Sequence, residues 1–382
     1  SKRLTALAVL FAAQEELVDL DTPVIESLPG FRVNSDFEKT PEKKITLRNM
    51  LAHTAGFTHE APAGNNFNYC CASNREHWNS IRNTWLKFPV GTGFSYSNLG
   101  YDLAAEILER VSGMRFEDYM QKTVFAPLGM KNSTVDDRRF VQNPNKTEGR
   151  ISSTVKKKHY SIPLIGSGAV YSSVDEMIRY VRFHMNIGRN GGRRLLERKY
   201  LYDMYTPVTG GYGLGITTGP AVNPEYDIDT YYMNHNGGGF GYGATMTWVP
   251  EYGIGVVALG YGPHNYSGVV INEVLFDGIV RFGIKSDTAV TRGFSPLPRL
   301  DQPDGAGSPF VFPDDPPGEG DLPEEEWAGT YDVVFTGREY TVDEDSLPRQ
   351  EIIIRRQGNG LSMEGWLGEH TLRGYIPGLF FT

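Results

Sequence analysis

The tripeptide Tyr96-Ser97-Asn98 combines a phenol and an amide at the predicted start of a helix. A phenol can transfer a proton, and an amide can hold a substrate carbonyl or the ammonium group of a lysine. A Pro/Gly turn at residues 89–91 comes shortly before it, and an amphipathic helix is predicted to follow. The two side chains could therefore point into one cleft and support proton transfer close to a bound substrate.

Lys2 is the next candidate, because it stands in the opening turn of a helix whose apolar positions occupy nearly every face. Such a helix is predicted to be buried, where a lysine could accept a proton from a neighbouring hydroxyl. In a Ser-x-x-Lys arrangement, a nucleophilic serine lies three residues before the lysine on the same helical face. That position precedes Ser1, and Ser1 itself adjoins the lysine and is predicted to face elsewhere.

His235 opens a His-Asn-Gly-Gly-Gly run that is predicted to lie on an edge strand. Glycines without a Cβ let a substrate backbone approach closely, and the N–H of Gly238 could donate to a developing oxyanion. The alternative interpretation is a glycine turn that carries a surface histidine. His53 is interpreted as a structural residue at a helix end, and the other histidines show no metal-ligand spacing.

The elements that must position these side chains follow from hydrophobic periodicity. Helices are predicted over residues 1–18, from Thr46 through Leu51 with a stop near Gly56, and over 99–112, 116–125, 174–186 and 269–282. Strands are predicted over 212–217, 246–249 and 254–259. Thr46 and Ser173 are predicted N-caps, with Glu176 completing a capping box. Residues 134–163 are predicted to be loop-like. Helices on an antiparallel sheet, with a helical segment between, indicate an α+β fold.

The composition changes beyond residue 285. Eight of the 23 prolines lie between Pro296 and Pro323, so residues 286–326 are predicted to form a Pro-rich, acidic linker. After Trp327 the pattern becomes short strands, with a hairpin turn at Gly358-Asn359-Gly360. Residues 327–382 are therefore predicted to form a small β-barrel or β-sandwich domain.

The bulk composition excludes several classes of protein. A net charge of -9 over 382 residues, without a basic run along any predicted helix, argues against nucleic acid as a partner. No segment approaches the roughly 20 apolar residues that span a bilayer. The two cysteines are adjacent, which indicates neither a disulfide framework nor a Cys-based zinc site. Three sequons, at Asn132, Asn145 and Asn265, favour secretion, and further sequence is expected upstream because neither Met nor a signal peptide opens the chain.

Seven segments carry short motifs in a fixed order. They lie at residues 1–7 with Ser1-Lys2-Arg3, 45–57 with His53-Thr54-Ala55-Gly56, 94–101 with Tyr96-Ser97-Asn98, 127–130 with Pro127-Leu128-Gly129-Met130, 166–172 with Gly166-Ser167-Gly168, 211–215 with Gly211-Tyr212-Gly213, and 235–238 with His235-Asn236-Gly237-Gly238. In this order the chain resembles the serine β-lactamase and penicillin-binding-protein superfamily, in its class C β-lactamase-related (CubicO-type) branch. The resemblance covers about residues 1–285, and the tail from Trp327 resembles a lipocalin-like β domain. It implies a β-lactamase/transpeptidase-like antiparallel sheet with a helical subdomain.

The resemblance also implies a role for each candidate residue. Lys2 matches the lysine of Ser-x-x-Lys, which deprotonates or orients the serine. Tyr96 matches the proposed general base and proton donor, and Asn98 matches the asparagine that binds the lysine and the substrate. His235 takes the place of the lysine in a Lys-Thr-Gly strand motif. Gly238 matches the second oxyanion-hole donor.

The implied reaction is acyl transfer through an acyl-serine, with an ester, an amide or a short peptide as the small-molecule substrate and no metal or organic cofactor. A histidine in place of the strand lysine weakens the positive charge that would hold a β-lactam carboxylate. Hydrolysis of esters or peptides is therefore expected ahead of antibiotic hydrolysis. The polar, aromatic insertion at residues 58–88 either shapes the acyl pocket or forms a rigid surface loop.

Two other interpretations of the same fold stay open. An acyltransferase would hand the acyl group to a small-molecule alcohol or amine, and a catalytically silent binding protein would keep the fold without a nucleophile. The residue three positions before Lys2 separates them, because any residue other than serine there would exclude both the hydrolase and the acyltransferase.

Overall fold

The computed structural model divides the chain into two units, Ser1–Asp301 and Gln302–Thr382. It describes residues 1–66, 72–150, 155–224, 227–239, 241–261 and 274–282, and the backbone of five strands after residue 328. The predicted linker at 286–326 and both cysteines lie outside the described residues. The predicted domain boundaries therefore stay predictions.

Ten helices lie within the described part of the first unit. They are α1 (Lys2–Gln14), α2 (Leu47–Leu51), α3 (Asn74–Ile81), α4 (Leu99–Ser112), α5 (Phe116–Met120), α6 (Ala126–Leu128), α7 (Asp137–Gln142), α8 (Val174–Met185), α9 (Arg198–Tyr205) and α10 (Phe276–Phe282). A π-helical turn, Gln121–Phe125, joins α5 to α6. None of the helices described is both long enough and apolar enough to cross a membrane.

The described residues of the first unit also form a two-stranded hairpin and a four-stranded antiparallel sheet. The hairpin pairs β1 (Arg189–Asn190) with β2 (Arg193–Arg194), and the sheet consists of β3 (Thr217–Asn223), β4 (Ile228–Gly239), β5 (Tyr242–Val249) and β6 (Ile254–Tyr261) in that order. The predicted α+β fold with an antiparallel sheet is thereby confirmed. The described end of the predicted closing helix is α10, whose buried Ile279 packs with Val249 and Tyr252.

Helix α1 is the centre of the core. Twelve of its 13 residues are buried, which is why its apolar positions cover all faces rather than one stripe. It packs against α4 within a single large apolar cluster. The predicted helix over 1–18 extends four residues beyond the C-terminal end of α1, and Ser1 is its N-cap rather than its first residue. The chain turns away at Glu16, which is exposed and adopts a left-handed conformation with φ of 58°.

Several helix ends follow the predicted capping chemistry. Thr46 accepts a hydrogen bond from the N–H of Asn49 at 3.1 Å, which caps α2 as predicted. Helix α4 has the predicted bounds and ends at Gly113, whose φ of 67° suits a residue without a Cβ. The predicted helix over 116–125 continues as α5, the π turn and α6 as far as Gly129.

Other predictions were wrong. Ser173 precedes α8 but makes no side-chain cap. The reciprocal half of the predicted capping box is also missing, because the carboxylate of Glu176 accepts from Asn132 and Ser133. The predicted strand over 212–217 makes only isolated bridges, and β3 begins where it ends. Helices α3, α7 and α9 were not predicted.

The described part of the second unit consists of five antiparallel strands. They are β7 (Gly329–Val333), β8 (Gln350–Gln357), β9 (Gly360–Gly365), β10 (Gly368–Ile376) and β11 (Leu379–Phe381), in the order β11-β10-β9-β8-β7. Short strands were predicted here from the sequence. A lipocalin-like barrel stays a prediction.

Candidate active site

Lys2 lies at the start of α1 and is only 5% exposed. Its Nζ donates to Oδ1 of Asn98 at 2.6 Å and, more weakly, to the carbonyl oxygen of Ser167 at 3.4 Å. The same nitrogen lies 4.7 Å from the centroid of the Tyr96 ring. The fold therefore brings together three of the residues selected from the sequence, although 96 positions separate Lys2 from Asn98.

The backbone of residues 53–60, here called the bracing segment, holds the Tyr-x-Asn loop. The N–H of Ser95 donates to the carbonyl of His53 at 2.9 Å, and the N–H of Asn98 donates to that of His59 at 3.0 Å. Between them, the N–H of Ser97 donates to Nδ1 of His53 at 3.1 Å. Ser97 is thereby buried in the scaffold, while the flanking Tyr96 and Asn98 side chains reach Lys2.

His53 contacts the Tyr-x-Asn loop through both its backbone carbonyl and its ring. It has a φ of 60° just after α2, which confirms the prediction of a structural residue at a helix end. Burial, with the nearby charges of Lys2 and His59, lowers the pKa of His53 well below its usual value. The ring is therefore neutral, with Nδ1 free to accept the Ser97 N–H. Its centroid lies 4.3 Å from that of Tyr96.

Glu60 is a site residue that the sequence did not reveal. It is 1% exposed, and its Oε1 accepts from Nδ2 of Asn98 at 2.7 Å and from Nδ2 of Asn66 at 2.6 Å. Nδ1 of His59 lies 3.2 Å from the same oxygen. A lone glutamate within an insertion has no diagnostic spacing, so only the fold shows that it meets Asn98.

His235 lies on β4 and is 8% exposed. Its Nδ1 contacts the carbonyl of Asn236, and that contact leaves Nε2 to accept from the hydroxyl of Tyr212 at 3.4 Å. Burial, followed by the charge of Arg3, lowers the pKa of His235 well below its usual value. The imidazole is therefore neutral near pH 7, unlike a lysine in the same place.

The strand that carries His235 is not the predicted edge strand, because β4 pairs with both β3 and β5. The prediction of an edge strand is wrong for only part of β4. Strand β3 begins opposite Asn234, so from His235 to Gly239 the described ladder of β4 runs along β5 alone. One side of this glycine-rich half of the strand therefore lacks a described strand partner.

The backbone of Gly238 points toward that open side. The N–H of Thr218 on β3 donates to the carbonyl of Gly211 and therefore points away from β4. Hydrogen-bonded and non-hydrogen-bonded pairs alternate along an antiparallel ladder, so the backbone groups of the next pair, Thr217 with Asn234, point toward each other. Backbone groups two residues apart along a strand point the same way. The N–H groups of Asn236 and Gly238 therefore point past the end of β3, away from β5.

Arg3 adds a second buried cation beside Lys2. It is 5% exposed, and its Nη1 donates to the carbonyl of His235 at 2.9 Å. Burial lowers the pKa of Arg3 to about 10, although the neighbouring phenols of Tyr180, Tyr212 and Tyr96 oppose the shift. The guanidinium therefore stays charged at neutral pH. The sequence did not predict that Arg3 contacts His235, because an arginine beside a lysine is not a recognisable motif.

The loop that begins at Gly166 completes the surroundings of Lys2. Buried Asp102 on α4 accepts from the N–H of Gly166 at 3.0 Å, and from the N–H and hydroxyl of Ser167 at 2.9 and 3.0 Å. These bonds fix the carbonyl of Ser167 next to Lys2. Asp102 also binds Nε2 of His77 at 3.2 Å, which ties α3 to the same carboxylate.

Aromatic rings form the exposed rim. Tyr96 is 36% exposed, and the ring of His59 stacks beside it with centroids 5.9 Å apart. Exposed Phe94 lies 5.7 Å from the buried ring of Tyr212. This rim could receive an apolar part of a substrate. Within the described ranges, no group of three His, Cys, Asp or Glu side chains could hold a metal ion.

The predicted site residues are thus joined to different degrees. Lys2, Tyr96 and Asn98 lie in direct contact, and His235 connects to them through Arg3 and the Tyr212 ring. Gly238 lies farther along β4, and its part in the site rests on the direction of its N–H. Ser1 faces elsewhere as predicted, because its hydroxyl accepts from the N–H of Val170 at 3.0 Å.

The same stretch of chain matches a family model. The model described as beta-lactamase matches residues 1–273. The chain belongs to the beta-lactamase family. This result confirms the family that the seven motifs predicted, and it covers every candidate site residue.

Curated relatives and solved structures agree with this assignment. This beta-lactamase family member is 25% identical over 268 residues to the D-alanyl-D-alanine-carboxypeptidase/endopeptidase AmpH of Escherichia coli (strain K12). The alignment covers 67% of each chain. A D-stereospecific amidohydrolase from Streptomyces sp. has a TM-score of 0.59 at 22% identity, over 72% of this chain and 84% of that one. A class C beta lactamase from Rhodobacter sphaeroides has a TM-score of 0.58 at 20% identity, over 73% and 83%. The structural matches establish a shared β-lactamase-like fold.

Proposed function

We propose that this protein is a serine acyl hydrolase that cleaves esters, amides or short peptides through an acyl-serine intermediate. The observation that carries the proposal is the buried contact of Lys2 with Asn98 beside the ring of Tyr96. A buried ammonium next to a phenol and an amide is arranged for moving a proton. Family membership supports the proposal, and so do relatives whose names denote a carboxypeptidase and an amidohydrolase.

The proposed nucleophile is a serine three residues before Lys2, one helical turn upstream on the same face. Its oxygen attacks the substrate carbonyl carbon, and its proton passes through Lys2 and Tyr96 to the leaving alcohol or amine. The bond from carbonyl to leaving group breaks as the acyl-serine forms. Water then adds to the acyl carbon, releases the acid and returns the proton to the serine. Asn98 accepts a hydrogen bond from Lys2 and is assigned a hydrogen bond to the substrate as well.

The open side of β4 suits the negative charge that develops on the carbonyl oxygen. The N–H of Gly238 points there, and we assign it as one oxyanion donor, with the N–H of the serine as the other. Neutral His235 offers no fixed charge to a substrate carboxylate, and the Arg3 guanidinium binds backbone instead. We therefore place β-lactam antibiotics behind esters and amides as substrates.

Labelling of the full-length protein with a fluorophosphonate probe tests the nucleophile. We expect one labelled serine, three residues before Lys2, when the adduct is mapped by peptide mass spectrometry. A protein that resists the probe, or a native sequence with another residue at that position, would support the silent binding protein instead.

A substrate panel then tests the specificity. It should include p-nitrophenyl esters, D-amino-acid amides and a β-lactam, with turnover expected for the first two classes ahead of the third. Preferential β-lactam hydrolysis would contradict the role given to neutral His235. Partitioning of the acyl group to added alcohols or amines would identify the acyltransferase.

A further inference from the structure

Glu60 has no part in the proton transfers above, yet it is a fully buried carboxylate, 1% exposed, in direct contact with Asn98. All of its described amide contacts converge on one oxygen, Oε1, from Asn98 and Asn66. The other oxygen, Oε2, is buried and has no hydrogen-bond partner among the residues described. A buried carboxylate oxygen without a donor is costly, so a purely stabilising role does not account for this residue.

The contact with Asn98 has only one chemically consistent arrangement. An asparagine amide has an oxygen that accepts and a nitrogen that donates. An ammonium group can only donate, so Lys2 requires the oxygen end. A carboxylate can only accept, so Glu60 requires the nitrogen end. The observed contacts, Oδ1 to Lys2 at 2.6 Å and Nδ2 to Glu60 at 2.7 Å, meet both requirements at once.

We propose that Glu60 is a positioning residue that orients the Asn98 amide so that its oxygen faces Lys2. Without the carboxylate, nothing described holds the nitrogen end away from the ammonium, and a flipped amide would place two donors against each other. Lys2 would then lose the contact that holds it beside Tyr96. This inference rests on the proposed hydrolase function, because it assigns Glu60 to the same proton-transfer site.

The surroundings of Glu60 favour a fixed orientation. The bracing segment holds the Asn98 backbone through the carbonyl of His59, one residue before Glu60, so backbone and side chain are held from adjacent positions. The negative charge of Glu60 also helps to raise the pKa of His77. Nδ1 of His59 lies 3.2 Å from Oε1.

Two substitutions separate hydrogen-bond acceptance from simple occupation of space. Glu60→Gln keeps an acceptor oxygen for both amides, and its new NH₂ replaces an oxygen that accepts nothing in the described structure. Glu60→Met has a similar length and no such acceptor. We expect E60Q to stay within about threefold of wild-type kcat/KM and E60M to fall about 10- to 100-fold, the scale of a lost hydrogen bond to a charged group. Glu60→Ala removes the same acceptor if the methionine variant folds poorly.

A double-mutant cycle with Asn98→Ala tests whether Glu60 acts through Asn98. If it does, E60M adds no further loss of kcat/KM in the N98A background, because the amide to be oriented is already gone. Glu176→Met is the matched control. That glutamate is also buried, and it accepts from Asn132 N–H at 2.7 Å and the Ser133 hydroxyl at 2.5 Å. Its effect should be the same with and without Asn98.

The possible outcomes are distinct. Equal impairment of E60Q and E60M, or full additivity of E60M with N98A, would overturn the positioning role while wild-type turnover upholds the hydrolase. A wild-type protein that neither reacts with the fluorophosphonate nor turns over any ester or amide would overturn the proposed function itself. Melting temperatures of all variants identify any loss of activity that follows from unfolding.

Discussion

Lys2 donates to two acceptors and lies near two aromatic rings, and these partners come from the Tyr-x-Asn loop, the start of α4 and the loop at Gly166. Asn98 and Ser167 accept from its ammonium, and the Tyr96 ring lies within 4.7 Å. A buried ammonium needs such acceptors, because an unpaired one would carry a large desolvation penalty. The group is therefore held in one place, as the proposed proton relay requires.

Removal of one hydroxyl tests the part of Tyr96. Tyr96→Phe keeps the ring that stacks on His59 but loses the group that would carry the proton. We expect turnover and fluorophosphonate labelling to slow by about 10²-fold or more, the scale of a lost general base, with an unchanged melting temperature.

The matched control for this prediction is Tyr200→Phe. The Tyr200 hydroxyl donates to the carbonyl of Ala13 at 3.1 Å, at the far end of α1 and roughly 16 Å along the helix from Lys2. Its loss should leave turnover as in the wild type. Wild-type turnover in Tyr96→Phe would remove that phenol from the mechanism.

At the scale of elements, short irregular segments rather than helices or strands position the site. The bracing segment carries the Tyr-x-Asn loop, and the loop at Gly166 carries the carbonyl next to Lys2. Backbone N–H groups of the Tyr-x-Asn loop donate to the bracing segment, and those of Gly166 and Ser167 donate to Asp102 on α4. Such anchoring lets a loop hold side chains as firmly as a regular element does.

Close packing of the Gly166 loop against α4 gives an element-scale prediction. A Cβ on Gly166 would lie 2.1 Å from the carbonyl oxygen of Tyr101, whereas a Cβ on Gly168 would meet nothing closer than 3.5 Å. Gly166→Ala must therefore displace the loop and the Ser167 carbonyl with it. We expect a loss of about 1–3 kcal/mol in the free energy of unfolding, together with slower labelling.

Gly168→Ala is the control, two residues along the same loop. It should change neither quantity appreciably, because its new methyl group makes only ordinary contacts. Urea unfolding and labelling rates measure both variants. A Gly166→Ala protein as stable as the wild type would show that the loop tolerates a backbone shift at α4.

The element predictions were correct where the fold keeps contacts between residues close in sequence, and wrong where contacts with distant residues replace them. Thr46 caps α2 as predicted because its partner, Asn49, lies three residues away and meets no stronger competitor. The same pattern failed at Ser173, because Glu176 has closer partners in Asn132 and Ser133, more than 40 positions earlier. A local rule cannot anticipate a distant donor.

At the scale of the whole molecule, His77 joins the aromatic insertion to the core. Its Nδ1 lies 2.7 Å from the carbonyl of Ala63 and its Nε2 lies 3.2 Å from Asp102, and both partners can only accept. Both ring nitrogens must then carry protons. Burial alone would lower the pKa of His77, but Asp102, the Ala63 carbonyl and Glu60 raise it above the usual value. The buried ring of His77 therefore ties the insertion to α4.

This buried cation predicts a pH dependence of stability. The folded chain keeps a proton on His77 that the unfolded chain releases above about pH 6.5. The contribution is complete below that pH and is lost as the pH rises through the folded pKa. The difference in unfolding free energy between wild type and His77→Gln should therefore shrink as the pH rises above about 6.5, as urea titrations can measure.

His184 is the control of opposite sign. Burial, with the charge of Arg3, lowers its pKa to about 3, so the folded chain excludes a proton that the unfolded chain binds below about pH 6.5. For His184→Gln the difference from wild type should shrink as the pH falls below that value. Two differences that change in the same direction would contradict the protonation states assigned to these rings.

Particular residues show what the sequence by itself determined. The apolar faces of residues 2–14 required a central helix, the Gly113 and Gly129 ends followed from backbone sterics, and the ordered motifs identified the family and the candidates Lys2, Tyr96, Asn98, His235 and Gly238. These features depend on neighbours in the chain or on patterns of residue type, which a sequence displays directly.

Only the tertiary structure decided which other side chains join these candidates. Glu60, Arg3 and Asp102 carry no local signal, and each gains its place from a partner many positions away. The structure also decided that β4 lies inside the sheet and opens only from His235 onward. The physical reason is that burial and charge depend on everything packed around a group. The protonation of His77 and His235, and the orientation of the Asn98 amide, are therefore properties of the folded chain.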